Sequence, residues 1–357
     1  MKWHKQYLHS FLVCATISFL SGQDTFVIDS SLSSSLPQNI ANSIELADVN
    51  NDGYTDIIIS GYDETRSGLY IDISTGSSSG TFSQGYQTNF ITYPDTIAEY
   101  LGGLGNISLA DVNLDGNIDM YINGSARSKL LFNSSSGYFS ESSWLQNMSV
   151  TYSDGKWGDV NMDGRPDLFL MGVNEYGDNI LNELFINTGS NLDEDPTTIF
   201  PSLFTGSSAW GDYDNDGDPD LIIGGRTANP NSSVSRLYQN DPIGRLTEVT
   251  TADAINGIKA GAFHFADLDA DGDLDLIMSG WNKIEGDLVT YILENEPLGT
   301  FSLASGQIDF AVAYGTIDAI DVNMDGLQDI VISGADDVSI YSGRVHSLSG
   351  RVYMNNG

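Results

Sequence analysis

Positive charge is what this chain of 357 residues has least of: 14 lysines and arginines stand against 49 aspartates and glutamates, for a formal net charge of −35. Nucleic-acid binding depends on basic side chains that neutralise phosphates, so that class of function is excluded. An anionic membrane surface repels such a chain as well. Cysteine is nearly missing: with Cys14 alone, no intramolecular disulfide can form. Long apolar runs are missing too. The N-terminal run Phe11–Leu20 ("FLVCATISFL") is too short to cross a bilayer as a helix, and no later segment reaches that length, so membrane insertion is not expected. Lys2, His4 and Lys5 precede the run, and Ser21 and Gly22 follow it before the polar "QDT". That pattern predicts a secretory signal over residues 1–22 and a thiol-free chain over 23–357, secreted or held at the cell surface.

Histidine is almost as scarce. Beyond the signal only His264 and His346 remain, and neither falls in a Ser/His/Asp or metal-ligand pattern. No catalytic residue is assigned, and a non-enzymatic role is expected. The alternative is a polysaccharide-active, lyase-like enzyme or its accessory carbohydrate-binding domain, for which Lys156, Arg165 and Lys259 are the available basic groups.

The chain is not poor in core-forming residues, since 40% are hydrophobic. Its 38 glycines imply many turns and therefore many short strands. Those turns recur in register. Six segments obey D-x-[DN]-x-D-G-x-x-D followed by an apolar run closed by glycine, at 48–56, 111–119, 159–167, 212–220, 267–275 and 321–329. The fourth, "GDYDNDGDPDLIIGG", places an aspartate at every second position from Asp212 to Asp220. Like charges so close repel, and a cation offsets the repulsion. Each copy is followed by an aromatic–Asn segment, as in "ELFINTG" and "RLYQNDPIG", and several by a third element such as "GTFSQG" or "GTFSLAS". Four antiparallel strands per repeat is the accounting of a propeller blade. The expected fold is an all-β propeller of six four-stranded blades. The last is completed when Thr25–Asp29 pair beside Arg351–Met354, which removes the exposed edge. A continuation past Gly357 leaves seven blades as the alternative.

The loop chemistry points to calcium. Positions 1, 3, 5 and 9 offer side-chain oxygens, position 7 offers a backbone carbonyl, and glycine at position 6 permits the sharp turn. Position 12 carries the bidentate Glu of an EF-hand, but here it holds Ile59, Ile122, Leu170, Ile223, Met278 and Ile332, which belong to the strand that follows.

These motifs resemble the calcium-binding repeats of the FG-GAP/VCBS families, found also in the integrin α-subunit propeller. The resemblance implies one calcium ion in the loop joining the first two strands of each blade. The side-chain ligands it implies are Asp48, Asn50, Asp52 and Asp56 in the first loop and Asp111, Asn113, Asp115 and Asp119 in the second. In the third they are Asp159, Asn161, Asp163 and Asp167, and in the fourth Asp212, Asp214, Asp216 and Asp220. The fifth uses Asp267, Asp269, Asp271 and Asp275, and the sixth Asp321, Asn323, Asp325 and Asp329. Backbone carbonyls of Tyr54, Asn117, Arg165, Asp218, Asp273 and Leu327 complete the sets. About six structural ions are expected, with tightest binding in the fourth and fifth loops, whose ligand sets hold the most carboxylates.

Trp157 and Trp210 share one position just before their loops, where Leu46, Leu109 and Phe265 stand in other repeats, so core packing is expected of both. Trp144, Trp281 and Tyr176 fall outside the repeat and are candidates for an exposed binding face. The segments that depart most from the repeat, 62–67, 86–104, 173–182, 226–235 and 335–350, are where an extracellular protein or glycan is expected to bind a monomeric module.

Overall fold

The structure is a computed structural model that describes residues 40–63, 68–78, 83–92, 106–123, 128–134, 137–145, 150–174, 179–229, 232–249, 255, 257–282, 284–296, 299–321, 325–339 and 344–355. Among these residues there is no helix. The strands form six antiparallel sheets in which neighbours in sequence are neighbours in space. The first holds β1 (Ile40–Ala47), β2 (Asp56–Asp63), β3 (Gly68–Thr75) and β4 (Ser83–Thr92). The second holds β5 (Ile107–Ala110), β6 (Asp119–Ile122), β7 (Lys129–Asn133) and β8 (Phe139–Glu141). The third holds β9 (Val150–Gly158), β10 (Asp167–Asn174), β11 (Ile180–Asn187) and β12 (Leu192–Glu194). The fourth holds β13 (Leu203–Gly211), β14 (Asp220–Thr227), β15 (Ser233–Gln239) and β16 (Thr247–Glu248). The fifth holds β17 (Ile258–Ala266), β18 (Asp275–Asn282), β19 (Asp287–Glu296) and β20 (Thr300–Leu303). The sixth has β21 (Ala313–Ile320), β22 (Asp329–Ser339) and β23 (Arg344–Tyr353). The fold is a six-bladed β-propeller. Its sixth blade has three strands among the described residues, and the segment expected to complete it, Thr25–Asp29, lies outside them, as does the expected signal.

The chain divides into two compact units, one holding the first blade and the other holding Val49–Asn51 with the remaining five blades. In the first, Ile57, Ile58, Ile71 and Ile73 of β2 and β3 are buried, while Leu46 is 65% exposed, unlike its counterparts in later repeats.

In the second unit the blades pack face to face, which explains the unbroken apolar run after each loop. A strand buried on both faces needs apolar residues at every position, not every second one. On β10, Leu168 and Leu170 pack with Tyr121 and Leu130 of the second blade. The alternate residues Phe169 and Met171 pack with Leu221 and Ile223 of the fourth. Further clusters join the fourth blade to the fifth through Ile222, Phe263 and Met278, and the fifth to the sixth through Ile277, Ile317 and Ile332.

The first strands β9, β13, β17 and β21 stand side by side. Their packing is aromatic on glycine. Trp157 and Trp210 are half-buried against the inter-blade cores, as expected. Their indole N–H groups donate to the carbonyls of Ser108 and Lys156 on the preceding blades, both at 3.3 Å. A Cβ on Gly158 would lie 2.8 Å from the Trp210 ring, and one on Gly211 would lie 2.6 Å from Phe265. At Gly158 and Gly211, glycine just before the acidic loop is therefore a packing requirement of the next blade. At the other end of these strands a bulge breaks the register, between Phe204 and Ser207, Lys259 and Ala262, and Ala313 and Thr316. Its first residue takes a left-handed backbone at Thr205, Ala260 and Tyr314, with φ of 52°, 51° and 51°.

Strand direction alternates through each blade. The connections between first and second strands and between third and fourth strands therefore share one end, and the remaining connections share the other. All the acidic loops join first to second strands, so within a blade they fall at the first end.

Candidate metal centre

Each acidic loop is a hairpin whose backbone turns its own N–H groups onto its carboxylates. Position 4 adopts a left-handed conformation at Asn51, Leu114, Met162, Asn215 and Ala270, with φ between 57° and 60°. Glycine at position 6 follows with φ between 84° and 99°. A non-glycine residue in that region is strained by roughly 1–2 kcal/mol, so the loop must be held by other contacts. In the third loop Asp159 accepts the N–H of Asp163 at 2.9 Å and that of Gly164 at 2.8 Å on its two oxygens. Asn161 accepts the N–H of Asp163 at 3.0 Å, and Asp163 accepts that of Arg165 at 3.0 Å. The bonds from position 1 recur at Asp48, Asp111, Asp212 and Asp321.

The side chains at positions 1, 3 and 5 are thereby brought together. Oxygens of Asp212, Asp214 and Asp216 lie within 4.8 Å of one another, as do those of Asp267, Asp269 and Asp271. Such a set of hard oxygens, without nitrogen or sulfur donors, fits calcium. In the third loop the Arg165 guanidinium binds the outer oxygen of Asp163 at 2.9 Å. Of the sixth set, Asn323 lies outside the described residues, while Asp321 and Asp325 form the same backbone bonds as their counterparts.

Position 9 has a second task that the spacing does not reveal. Asp56, Asp119, Asp167, Asp220, Asp275 and Asp329 are all buried. Asp167 accepts the N–H of Val160, at position 2 of its loop, at 3.0 Å and that of Asn187, at the end of β11, at 2.7 Å. Asp119, Asp220 and Asp275 repeat both bonds. Position 9 therefore ties the loop to the third strand. Burial pushes the carboxyls of Asp119, Asp167 and Asp275 up to about 6 and that of Asp220 up to about 8, against the opposing pull of the N–H donors.

The asparagine at the end of the third strand in every blade but the first is the other residue whose role the sequence left open. Asn187 donates through Nδ2 to the carbonyl of Val112 in the preceding blade's loop at 2.8 Å and to Pro166 in its own at 3.1 Å. Asn133, Asn240, Asn295 and Asn355 make the same reach, to Val49, Val160, Tyr213 and Leu268. Each staples its own acidic loop to the one before. In the first blade Gly76 occupies this position, and its N–H alone reaches Asp56, at 2.9 Å.

Asp218, the extra aspartate of the fourth loop, is 1% exposed, and neither carboxylate oxygen has a hydrogen-bond partner among the described residues. Burial raises its carboxyl to about 6, with Asp216, Asp214, Asp212 and Asp241 adding repulsion.

Away from the loops, His264 and Asp318 from neighbouring blades approach each other on the first strands, and His264 also feels the charge of Lys156 from a third blade. His264 Nε2 lies 3.8 Å from Asp318 Oδ1. Burial lowers the imidazole's pKa, Asp318 opposes that, and the Lys156 charge adds to it. No linear pattern could show this grouping, since each residue belongs to a different repeat.

Together these features define a β-propeller with acidic hairpin loops suited to a hard divalent cation. Residues 111–170, 159–223 and 212–278 each match the FG-GAP-like repeat, every match running from position 1 of one acidic loop to position 12 of the next. Three FG-GAP-like repeats thus span residues 111–278 of this six-bladed propeller. No curated protein sequence matches it. Among solved structures it is similar to an Agrocybe aegerita lectin described in its specific recognition of non-reducing terminal N-acetylglucosamine. That likeness has 18% identity and a TM-score of 0.56, over 86% of this chain and 79% of the lectin. It is also similar to an endo-arabinase from Bacteroides thetaiotaomicron, with 11% identity and a TM-score of 0.40 over 91% and 97% of the two chains. At such identities the likeness is one of fold.

Proposed function

We propose that this protein is a secreted or cell-surface calcium-binding propeller that acts as a non-catalytic ligand-binding or adhesion module. The convergence of oxygen donors at positions 1, 3 and 5 of repeated loops carries the reading. The ions are structural: Asp48, Asp111, Asp159, Asp212, Asp267 and Asp321 at position 1, with their partners at positions 3, 5 and 9 and the carbonyl at position 7, hold about six of them. Each ion cancels carboxylate repulsion in a hairpin that the asparagine staples join to its neighbour. Connections at the opposite end of the blades are then free to vary and to meet a glycan or protein, as a rigid scaffold with variable loops does. A sugar-binding lectin on the same fold supports the glycan arm by analogy alone.

The test is binding of the calcium-loaded chain to a broad glycan array, repeated in chelator. Chelator-sensitive glycan binding is expected, and absence of any glycan binding moves the partner to a protein.

The grouping of Lys156, His264 and Asp318 favours a second reading, a polysaccharide-active enzyme with these residues at its centre. It predicts products released from a polysaccharide over time and lost in His264→Ala. A panel of polysaccharides left intact removes it.

A further inference from the structure

A cleft of about 410 Å³ opens between the outer edges of the second and third blades. Trp144, in the segment after β8, and Phe185 of β11 supply its aromatic lining, while Ser143, Asn191, Asp193 and Glu194 supply hydroxyl, amide and carboxylate groups. Among the described residues no basic side chain lines it. We propose that this cleft is a saccharide-binding site for neutral or amino sugars, with Trp144 as the platform and Asn191, Asp193 and Glu194 as the hydroxyl-recognising groups. The proposal rests on the glycan arm of the function proposed above but places the sugar outside the acidic loops at a third-to-fourth-strand connection, on the acidic-loop end of the blade instead of the opposite one.

The platform is pre-set. Trp144 meets Phe132 edge to face with ring centroids 5.0 Å apart at 88°, and its backbone N–H donates to Ser142 Oγ at 3.1 Å. A fixed aromatic surface costs little side-chain entropy when a ligand lands on it. The polar wall is also ordered. Thr188 donates to the carbonyl of Asn191 at 3.0 Å, closing the β11–β12 turn, and Asn191 Nδ2 donates to Asp193 Oδ1 at 2.6 Å. Carboxylates only accept hydrogen bonds, and sugar hydroxyls are donors in search of acceptors. An apolar face with a few convergent polar groups, in a volume near the lower end of small-ligand sites, gives room for one or two sugar rings. Charge sets the selectivity. Asp193 and Glu194, with no basic group nearby in the lining, repel uronic and sulfated sugars and accept an ammonium-bearing one.

The experiment titrates chitobiose, its de-acetylated form, cellobiose and digalacturonate into the full chain loaded with calcium, read by tryptophan fluorescence and calorimetry. Binding of a neutral or amino disaccharide and no binding of digalacturonate are expected. Trp144→Ala and Asp193→Ala each weaken the binding about tenfold or more, while Trp144→Phe keeps part of it. Asp193 is exposed, so its loss does not threaten the fold. Undiminished affinity in both alanine variants removes this cleft while the glycan reading stands on the wild-type binding. Failure of every saccharide overturns both. Tighter binding of a tri-lysine peptide than of any sugar, lost in Asp193→Ala, makes the cleft a peptide site and overturns the proposal.

Discussion

Asp218 is under strain from burial and from charge. It is buried, unpartnered among the described residues and surrounded by four other aspartates. Its folded-state carboxyl sits at about 6, above the ordinary value of 3.8, so the stability linked to it is full at low pH and falls as pH rises through about 6. Asp218→Asn keeps the backbone carbonyl and removes the charge. It should raise the thermal midpoint in chelator at pH 7.5 and narrow the gap between chelated and calcium-loaded protein. An unchanged midpoint in chelator would mean the charge is already neutralised by other means. The staple asparagines act at the same scale. Asn187→Ala leaves the carbonyls of Val112 and Pro166 without their donor in a buried place, at a cost of about 2–3 kcal/mol that a urea titration measures. The same change at exposed Asn191 should cost far less.

At the scale of elements, the first strand shows how one blade constrains the next. Gly158 lies beneath Trp210, and Gly211 beneath Phe265. Gly158→Ala should destabilise by about 1–3 kcal/mol through overpacking, while Gly158→Ala combined with Trp210→Leu should recover part of the loss. Equal losses in the single and double variants would separate the glycine from the tryptophan. Much of this element was legible in the sequence. The loop spacing located both hairpin strands, because its ligand chemistry is local and repeats in register. The double burial of β10 was also visible in "DLFLM". The task of position 9 was not, because its partners are backbone N–H groups, one of them on the third strand. The stapling role of the asparagines was hidden for a related reason. The aromatic–Asn pattern marks a strand end, but the carbonyls it reaches in the preceding loop lie 75 to 87 residues back in the chain.

For the whole molecule, the carboxyls at position 9 set the response to pH and metal. Asp119, Asp167 and Asp275 are held at about 6 and Asp220 at about 8, all above the usual carboxylate range. In metal-free protein the stability these groups contribute should therefore be full below the ordinary carboxylate pKa of 3.8 and be lost as pH rises through about 6 and, for Asp220, about 8. Calcium should flatten that slope, because a bound cation favours the ionised form. A scan of melting midpoints against pH, with chelator and with calcium, checks both parts. A chelated protein that gains stability toward pH 8 would contradict the assignment of these groups. Fold class and loop positions could be read from composition and repeat. The cleft beside Trp144 and the approach of His264 to Asp318 could not, since they join residues from separate repeats.

The staple carries one more consequence, for the cell that makes the protein. Asn133 opens the triplet Asn-Ser-Ser, a acceptor signal for N-linked glycans, and Asn106 and Asn123 open two more. Asn133 and Asn123 are buried, and Asn106 Nδ2 donates to the buried Asp154 at 2.8 Å. A glycan attached at Asn133 Nδ2 would take the nitrogen that reaches Val49 and Ile118, and would place a bulky polar group inside the second blade. Folding and modification at the buried Asn123 and Asn133 exclude each other. A host that glycosylates nascent chains at such triplets would thus convert a packing residue into a lesion, and its yield of folded protein should recover when glycosylation is blocked.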